Sequence, residues 1–376
     1  MNVEETLAKL VAINSVSSNS NVEIISFLAA HCERMGMCAR LLPYRDERGV
    51  KKINLIAVAP RTTKDDELIE LALVGHTDTV PYDPNWLEAT ELTARDGRLY
   101  GRGACDTKAF IAAALTAIES TDRSRFNRPV ALVFTADEEV GCLGAKRLEQ
   151  ESGLRVRYSI VGEPTSLQPI RAGKGYCLAE VVVRGIEGHS AYPAVGASAI
   201  FRAARLVSHL ERIAEEIKQE RQDAFDPPYT TLNVGLINGG TAKNIIPGQC
   251  RLTLEWRPVP GQKAERVLDL LRAAVEDEKR HDAGFDCRIT PVRLDGGMET
   301  PADSVLVRLL EEASGREAGT IAFGTEAPQM IGLGAQAVVF GPGDIRVAHR
   351  TGEFVPVEEL HASVAILKRA IEHFCL

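Results

Sequence analysis

The order of strand-like runs and helical stretches is the feature that restricts the possible folds of this chain most. Over the first 165 residues, apolar runs typical of strands alternate with stretches typical of helices, and this alternation predicts an α/β sheet with helices on its faces. The strand-like runs are INLIAVAP (53–60), LIELALVGH (68–76), PVALVF (129–134) and RYSIVGEP (157–164), and DTKAFIAAALTAIES (106–120) is predicted to be a helix.

The middle of the chain has a different order of elements. Strands are predicted over 175–188, 230–239, 248–258 and 285–294, and helices over 198–220 and 263–280. This is the β-α-β-β-α-β order of a ferredoxin-like unit, which we take as an inserted domain spanning residues 171–293. The α/β pattern resumes afterwards, so the first domain is predicted to be discontinuous, residues 1–170 and 294–376. A chain of 376 residues is long enough for two such cores.

Acidic and histidine side chains follow the ends of the predicted strands. His76 ends the second run, Glu138 and Glu139 follow the third, and Glu163 lies at the end of the fourth. Ligands of open α/β sheets bind outside the carboxyl ends of the strands. The three consecutive acids of TADEEVG (135–141) would repel one another beside a buried strand, and a bound cation would remove that cost.

Further residues complete a candidate metal site. Asp106 lies in GRGACDTKAF, His349 in VAHRTGE, and Asp78 two residues after His76. Taken singly, each motif has an ordinary explanation, such as a surface pair, a turn or a helix N-cap at Asp106. Taken together, two histidines and several carboxylates suit zinc or a similar divalent cation. Asp78 could accept the N–H of the His76 ring and fix its orientation.

Composition argues against several classes of partner. The net charge of −8 and the pI of about 5.6 disfavour nucleic acid and anionic membranes. No run reaches the roughly 18 apolar residues of a membrane span, and the N-terminus predicts an amphipathic helix rather than a signal peptide. The eight cysteines form no CxxC pair, which favours a reducing, cytoplasmic environment.

The motifs GHTDTVP, GRGACDTK, TADEEVGCLGA, GEPTS, GHSAYP and AHRTGE resemble those of the M20 family of dinuclear zinc peptidases and deacylases, over nearly the whole chain. The resemblance implies a zinc-peptidase-like catalytic domain with an inserted lid and dimerisation domain. It also implies two divalent metal ions, Zn²⁺ with Co²⁺ possible. Thr107 and Ala109 stand where the family usually has methionine and glycine, but neither is a ligand.

The resemblance also assigns roles to individual residues. It implies that Asp106 bridges two metals, that His76 and Glu163 complete one of them, and that Glu139 and His349 complete the other. Glu138 would be the general base that takes a proton from water and gives it to the leaving amine. Cys105, beside Asp106, is expected to be a packed thiol rather than a ligand.

The inserted domain carries a second set of candidates. The resemblance implies that His189, in GHSAYP, reaches the active site of a partner subunit and steadies an oxyanion, so that a homodimer would be part of the mechanism. Asn244 and Arg257 are candidate substrate-binding residues, with Arg257 suited to an α-carboxylate. Thr325 and Glu326, in FGTEAP, precede a predicted short helix, and Glu326 could bind a cationic side-chain amine.

The segments VGEPTSLQPIRAGKG, FGTEAPQ and EHFC resemble family members that hydrolyse N2-acetyl-L-ornithine more than desuccinylases or carboxypeptidases. We therefore expect an enzyme that releases L-ornithine and acetate in arginine biosynthesis, with a small N-acyl amino acid as its substrate. The alternatives are another N-acyl amino acid deacylase of the succinyl-diaminopimelate desuccinylase type, a dipeptidase, or a non-catalytic binding protein on the same fold.

Overall fold

The computed structural model describes residues 1–60 and 68–376, and the chain divides there into two units. Unit 1 comprises Met1–Arg171, Thr300–Gly319 and Thr325–Leu376, and unit 2 comprises Ala172–Glu299 and Thr320–Gly324. Unit 2 therefore starts one residue after the predicted start of the insertion, at 171, and extends beyond its predicted end, at 293. It extends further because Met298 pairs with Gly173 in a short ladder and keeps the chain in this unit until Glu299.

The helices and strands are numbered here in chain order over the described residues. The α-helices are α1 (Val3–Ala12), α2 (Val22–Arg34), α3 (Lys108–Glu119), α4 (Leu143–Glu151), α5 (Ala199–Ile217), α6 (Arg266–His281), α7 (Val305–Ser314), α8 (Ala327–Gly332) and α9 (Val357–Cys375). The strands are β1 (Cys38–Arg45), β2 (Lys51–Ala59), β3 (Ile69–His76), β4 (Thr93–Arg95), β5 (Arg98–Tyr100), β6 (Val130–Thr135), β7 (Val156–Val161), β8 (Ile170–Gly173), β9 (Tyr176–Arg184), β10 (Gly188–His189), β11 (Thr231–Gly239), β12 (Ile245–Ile246), β13 (Gln249–Arg257), β14 (Asp286–Asp295), β15 (Met298–Glu299), β16 (Gly319–Ile321), β17 (Gln336–Val339) and β18 (Phe354–Pro356).

The main sheet of unit 1 has the strand order β1-β2-β6-β3-β7-β17. Strands β6, β3, β7 and β17 run parallel, while β1 and β2 are antiparallel to their neighbours. Every residue of β3 and β6 is buried, as expected for central strands that are covered on both faces. The parallel strands bring their carboxyl ends to one edge of the sheet, where His76 lies opposite Thr135.

Helix α3 packs closely on this sheet. Most of its residues are alanine or larger apolar residues, and ten of its twelve positions are buried. A Cβ at Gly162 would lie 2.2 Å from the ring of Phe110, so glycine is needed where β7 ends under the helix. This close approach fixes the position of the segment that carries Glu163 relative to α3.

Unit 2 contains a four-stranded antiparallel sheet with the order β11-β13-β9-β14. With α5 following β9 and α6 following β13, the chain has the predicted β-α-β-β-α-β order. Its core includes Val181 and Leu254 from the sheet and Leu206 and Leu271 from the helices. The α/β fold class with a ferredoxin-like unit is confirmed.

Two observations concern the chain as a whole. None of the helices in residues 1–60 and 68–376 combines the length and the hydropathy that crossing a membrane would require. The structure joins none of the eight cysteines in a disulfide, and six of them are buried.

Candidate metal centre

The carboxyl ends of three neighbouring strands supply most of the candidate ligands. His76 is the last residue of β3, Glu138 and Glu139 follow the end of β6 at Thr135, and Glu163 follows the end of β7 at Val161. Because these strands are adjacent and parallel, their ends lie side by side. The sequence pattern had placed these four side chains at strand ends, and the sheet order makes them neighbours.

Asp106 lies between the two histidines of the candidate metal centre, which we call the cluster. Its Oδ1 is 3.0 Å from Nε2 of His76, and its Oδ2 is 3.1 Å from Nε2 of His349. The same His349 nitrogen is 3.1 Å from Oε2 of Glu139. His76, Asp106 and Glu139 offer ligand atoms that all lie within 4.8 Å of one another. Each oxygen of the Asp106 carboxylate thus faces a different imidazole.

The electrostatics of the cluster show how strongly these groups depend on positive charge. Burial and the neighbouring charges of Asp106 and Glu138 raise the pKa of Glu163 well above its usual value. Burial, assisted by the charge of Glu139, raises the pKa of Glu138 to about 8. Buried carboxylates without nearby cations are costly, so this donor set favours positive charge at its centre.

The histidines show the complementary effect. Burial opposes protonation of His76, but its hydrogen bond to Asp106 raises the pKa well above the usual value. Hydrogen bonds to Asp106 and Glu139 raise the pKa of His349 to about 10. Burial favours the neutral form of Asp106, yet the hydrogen bonds from His349 and His76 lower its pKa. Positive charge on the imidazoles thus stabilises these carboxylates, as divalent cations would, and the residues fit a metal centre.

Asp78 makes contacts that differ from the predicted ones. Nδ1 of His76 lies 3.0 Å from the backbone carbonyl of Asp78 and 3.7 Å from its carboxylate. The carboxylate instead accepts the backbone N–H groups of Glu138, at 3.1 Å, and Glu139, at 3.3 Å. It also accepts a hydrogen bond from the hydroxyl of Ser17, at 2.7 Å. The carbonyl orients the imidazole, and the carboxylate fixes the turn that bears the two glutamates.

Two residues of the centre have backbone conformations that non-glycine residues rarely adopt. Asp137 has φ of +58° and His349 has φ of +59°, both in the left-handed region. Such conformations cost roughly 1–3 kcal/mol each and cluster at functional sites. The step at Asp137 turns the chain after β6, so that Glu138 and Glu139 enter the cluster.

An ion pair that the sequence analysis did not identify supports the loop of Asp106. Glu353, fully buried, accepts the N–H groups of Cys105, at 2.9 Å, and Asp106, at 3.1 Å, and pairs with the buried guanidinium of Arg102. Both residues lie within the quoted motifs, as the first charged residue of GRGACDTK and the last residue of AHRTGE. A charge of each sign beside two ligand motifs was the signal that could have indicated this pair.

Cys105 is packed rather than aimed at the cluster. It is 1% exposed, and its Sγ is 3.5 Å from the carbonyl of Asp344. Burial raises the pKa of its thiol well above the usual value, which disfavours the thiolate that a metal would bind.

The candidate substrate-binding residues of unit 1 lie where a short helix begins. The hydroxyl of Thr325 accepts the N–H of Ala327 at the start of α8, at 3.2 Å. Glu326 is 1% exposed, and its Oε2 accepts a hydrogen bond from Thr135 at 2.9 Å. Its Oε1 has no hydrogen-bond partner among the described residues. Since Thr135 lies beside His76 in the sheet, Glu326 belongs to the same strand-end region.

In unit 2, His189 and Asn244 lie close together. Both are exposed, His189 in the two-stranded ladder of β10 and β12 and Asn244 just before β12. Ser190 donates its N–H to the carbonyl of Asn244 at 3.1 Å. Arg257 lies elsewhere, at the end of β13, where it donates to Glu255 at 2.8 Å and to the carbonyl of Ala322 at 3.0 Å.

Comparison with known proteins identifies the family. A model of peptidase family M20/M25/M40 matches residues 72–373. The chain belongs to this family. It is accordingly an M20 hydrolase, and the resemblance inferred from the motifs is confirmed.

Relatives of this M20 chain share its full length. An acetylornithine deacetylase of Myxococcus xanthus is 54% identical over 371 residues, which cover 98% of this chain and 97% of that protein. An acetylornithine deacetylase of Proteus mirabilis is 35% identical over 384 aligned positions, covering 99% of this chain and 96% of that protein.

Solved structures share the fold. An M20 family metallo-carboxypeptidase from Sulfolobus solfataricus is 20% identical with a TM-score of 0.77, and the match covers 100% of this chain and 99% of that chain. A dinuclear metal binding peptidase of the M20 family from Bacillus subtilis is 15% identical with a TM-score of 0.69, covering 99% and 97%. At these identities the likeness concerns the fold alone.

Proposed function

We propose that this M20 hydrolase removes the acetyl group from N2-acetyl-L-ornithine and releases L-ornithine and acetate. The observation that carries the hydrolytic site is Asp106, whose two oxygens face two different imidazoles, as a carboxylate shared between two cations would. The substrate is suggested by relatives named acetylornithine deacetylase that match nearly the whole chain, one of them at 54% identity.

The proposed ligands are divided between two divalent cations. Asp106 would be shared between them, His76 and Glu163 would complete one site, and Glu139 and His349 would complete the other. Nitrogen and carboxylate donors suit Zn²⁺, and Co²⁺ would fit the same donors. When bound, the cations supply the Lewis acidity that makes water nucleophilic near neutral pH.

Glu138 is the proposed general base. It takes a proton from the attacking water and passes it to the amine nitrogen as the amide bond breaks. The second proton of that water moves from the new carboxyl group to the amine, so that acetate and an ammonium group leave. Asp78 holds the N–H groups of Glu138 and Glu139, and this hydrogen bonding keeps the base and its neighbouring ligand in fixed relative positions. The carbonyl of Asp78 orients the ring of His76.

The remaining candidates are proposed to bind the substrate. Arg257 would hold the α-carboxylate, exchanging its present bonds to Glu255 and Ala322 for a bidentate pair. Asn244 and His189, which lie close together and are exposed, would act from the inserted unit, with His189 reaching a partner subunit. Thr325 and Glu326 would lie at the side-chain end of the ligand, where Glu326 meets the cationic amine of ornithine.

The proposed setting is a cytoplasmic homodimer that serves arginine biosynthesis. Eight cysteines that form no disulfide and are mostly buried are compatible with a reducing compartment. Exposed apolar side chains on unit 2, among them Phe201 at 73% and Leu236 at 60%, support an interface on this unit. A small amino acid derivative, rather than nucleic acid or a membrane, is the proposed partner of the acidic chain.

The test is ornithine release by chelated protein before and after Zn²⁺ or Co²⁺ is restored, with N-acetylmethionine and a dipeptide measured alongside. We expect turnover to return with the metal and to be fastest on N2-acetyl-L-ornithine. Metal-dependent turnover that favours one of the other substrates would keep the hydrolase and replace the proposed substrate. Complete inactivity of the metal-loaded protein would refute the proposal in favour of a binding protein.

A further inference from the structure

A buried cluster of three side chains lies directly behind the turn that carries Glu138 and Glu139. Lys52 and Asp137 are each 1% exposed, and Nζ of Lys52 lies 2.6 Å from Oδ1 of Asp137. The hydroxyl of Tyr44 donates to Oδ2 of the same carboxylate at 2.9 Å. We call these three residues the Asp137 anchor.

Strands β1 and β2 position the two partners of Asp137. Tyr44 and Lys52 are directly opposite each other in the antiparallel pair of β1 and β2, so their side chains lie on the same face. Both reach beyond the strand pair to one carboxylate. The register of two strands therefore determines where the side chain of Asp137 is held.

Lys52 connects this carboxylate to a second support of the same turn. Its ammonium also donates to the carbonyls of Ser17, at 2.7 Å, and Asn19, at 2.9 Å. The hydroxyl of Ser17 in turn donates to Asp78, which accepts the N–H groups of Glu138 and Glu139. One buried cation thus joins both ends of the turn.

The backbone conformation of Asp137 indicates what the Asp137 anchor stabilises. At φ of +58° this residue adopts a conformation that an L-amino acid leaves readily unless neighbouring groups hold it. The left-handed step at Asp137 directs the backbone N–H groups of Glu138 and Glu139 to Asp78, and directs their carboxylates to the candidate metal centre. Without the anchor, the extended backbone that is ordinarily preferred would turn Glu138 and Glu139 away.

We propose that Lys52, Asp137 and Tyr44 are positioning residues that hold the left-handed turn after β6 and thereby set the places of Glu138 and Glu139. This inference rests on the proposed function, since it gives those two glutamates their roles. It makes a buried ion pair and a tyrosine hydroxyl, none of them candidate ligands, determinants of both metal affinity and turnover.

Two variants test the proposal. Asp137→Asn keeps a residue that tolerates the left-handed region and removes the charge, and Tyr44→Phe removes one hydroxyl. Loss of groups that orient metal ligands typically lowers metal affinity or activity about 10–100-fold. We expect Asp137→Asn to lower kcat about 10-fold or more with KM within about twofold, and Tyr44→Phe to act in the same direction at the lower end of that range. The matched control is Tyr158→Phe, whose ring packs on Phe374.

Titration of Co²⁺ into the chelated protein, followed by visible absorption, measures how the Asp137 anchor affects metal affinity and does not depend on turnover. We expect both variants, and not Tyr158→Phe, to bind Co²⁺ more weakly by about 10-fold. If wild-type protein failed to hydrolyse N2-acetyl-L-ornithine, the proposed substrate would be wrong. This titration would still test whether the Asp137 anchor positions the metal ligands. Should Asp137→Asn not fold, Tyr44→Phe decides alone. Affinity and kcat both within twofold of wild type, with only the melting temperature lowered, would overturn the proposal.

Discussion

Glu138 is the single residue on which the proposed proton transfer depends. Replacing it with glutamine keeps the shape and the backbone N–H bonded to Asp78, but removes the group that takes the proton. Because general base catalysis contributes typically 10²–10⁴-fold, we expect kcat of Glu138→Gln to fall by about that factor. Bound metal, measured by atomic emission, should stay at the wild-type stoichiometry because Glu138 is not a proposed ligand.

The control for this variant is Glu151→Gln, which changes an exposed acid on α4 paired with Arg147. It should retain wild-type kcat and metal content. Retention of more than a tenth of wild-type kcat by Glu138→Gln would exclude Glu138 as the general base.

Glu326 offers a test of which side chain the substrate carries. Its Oε1 has no partner among the described residues, and burial raises its pKa to about 7, so a cationic amine would stabilise its ionised form. We expect Glu326→Gln to raise KM for N2-acetyl-L-ornithine more than KM for N-acetylmethionine, which lacks the amine. The control Thr135→Val removes the hydroxyl donor to Oε2 but keeps the acid. Equal changes of KM for the two substrates would show that Glu326 does not recognise the amine.

At the residue scale, sequence reasoning located side chains better than it described their surroundings. The proximity of His76, Glu139 and Asp106 follows from strand ends and a loop that meet at one edge, and their roles as ligands stay predictions. The carboxylate of Asp78 could not be placed, because its partners depend on the left-handed step at Asp137. A sequence pattern does not specify a backbone conformation that only tertiary contacts hold.

Among the elements, β7 and α3 show how closely strand and helix must approach to form this site. A Cβ at position 162 would overlap the ring of Phe110, and overpacking of a buried contact costs typically about 1–3 kcal/mol. We expect Gly162→Ala to lower the melting temperature and to weaken Co²⁺ binding, because the displaced segment carries Glu163. Differential scanning calorimetry and the Co²⁺ titration measure the two effects.

The contact with Phe110 can be tested separately. The double variant Gly162→Ala with Phe110→Leu should recover part of the lost stability, since the smaller side chain makes room. Gly296→Ala is the control, since a Cβ there meets no atom within 4 Å. If Gly162→Ala melted at the same temperature as Gly296→Ala, the close approach would not be needed.

Elements differed in how well the sequence predicted them. The fully buried strands β3 and β6 are continuous apolar runs, which carry a strong signal. Strand β1 was not predicted, because it lies at the sheet edge, has only exposed and half-buried residues, and contains Pro43. The strand that provides Tyr44 to the anchor is thus the one with the weakest pattern.

For the whole molecule, the βαββαβ unit was predictable from element order alone, because that order allows few sheets. Its extent was less so: Thr320–Gly324 belongs to unit 2 although it is distant in sequence. The sequence also could not show which apolar residues the fold leaves uncovered. Several of them lie on one part of unit 2, along the edge strand β11 and the start of α5.

This exposed surface leads to a prediction about assembly. Leu236 and Ile237, on the edge strand, are 60% and 54% exposed. Phe201, near the start of α5, is 73% exposed. The adjacent Ile200 contacts the chain just after β11, since a Cβ built at Gly240 would lie 3.6 Å from its side chain. The start of α5 therefore continues the surface of β11. Exposed apolar edge strands tend to pair with another chain. We expect light scattering to give about twice the chain mass of 40.9 kDa.

A charge at the edge should separate the subunits. Leu236→Lys is expected to give the monomer mass because a lysine on an edge strand opposes pairing. Leu87→Lys, at an 83% exposed leucine of unit 1, serves as the control and should remain dimeric. If His189 acts on a partner subunit, the monomeric variant should also lose kcat, although its metal site is intact. A wild-type monomer at micromolar concentration would contradict the predicted dimer, and a fully active monomeric Leu236→Lys would contradict the role of His189 across subunits.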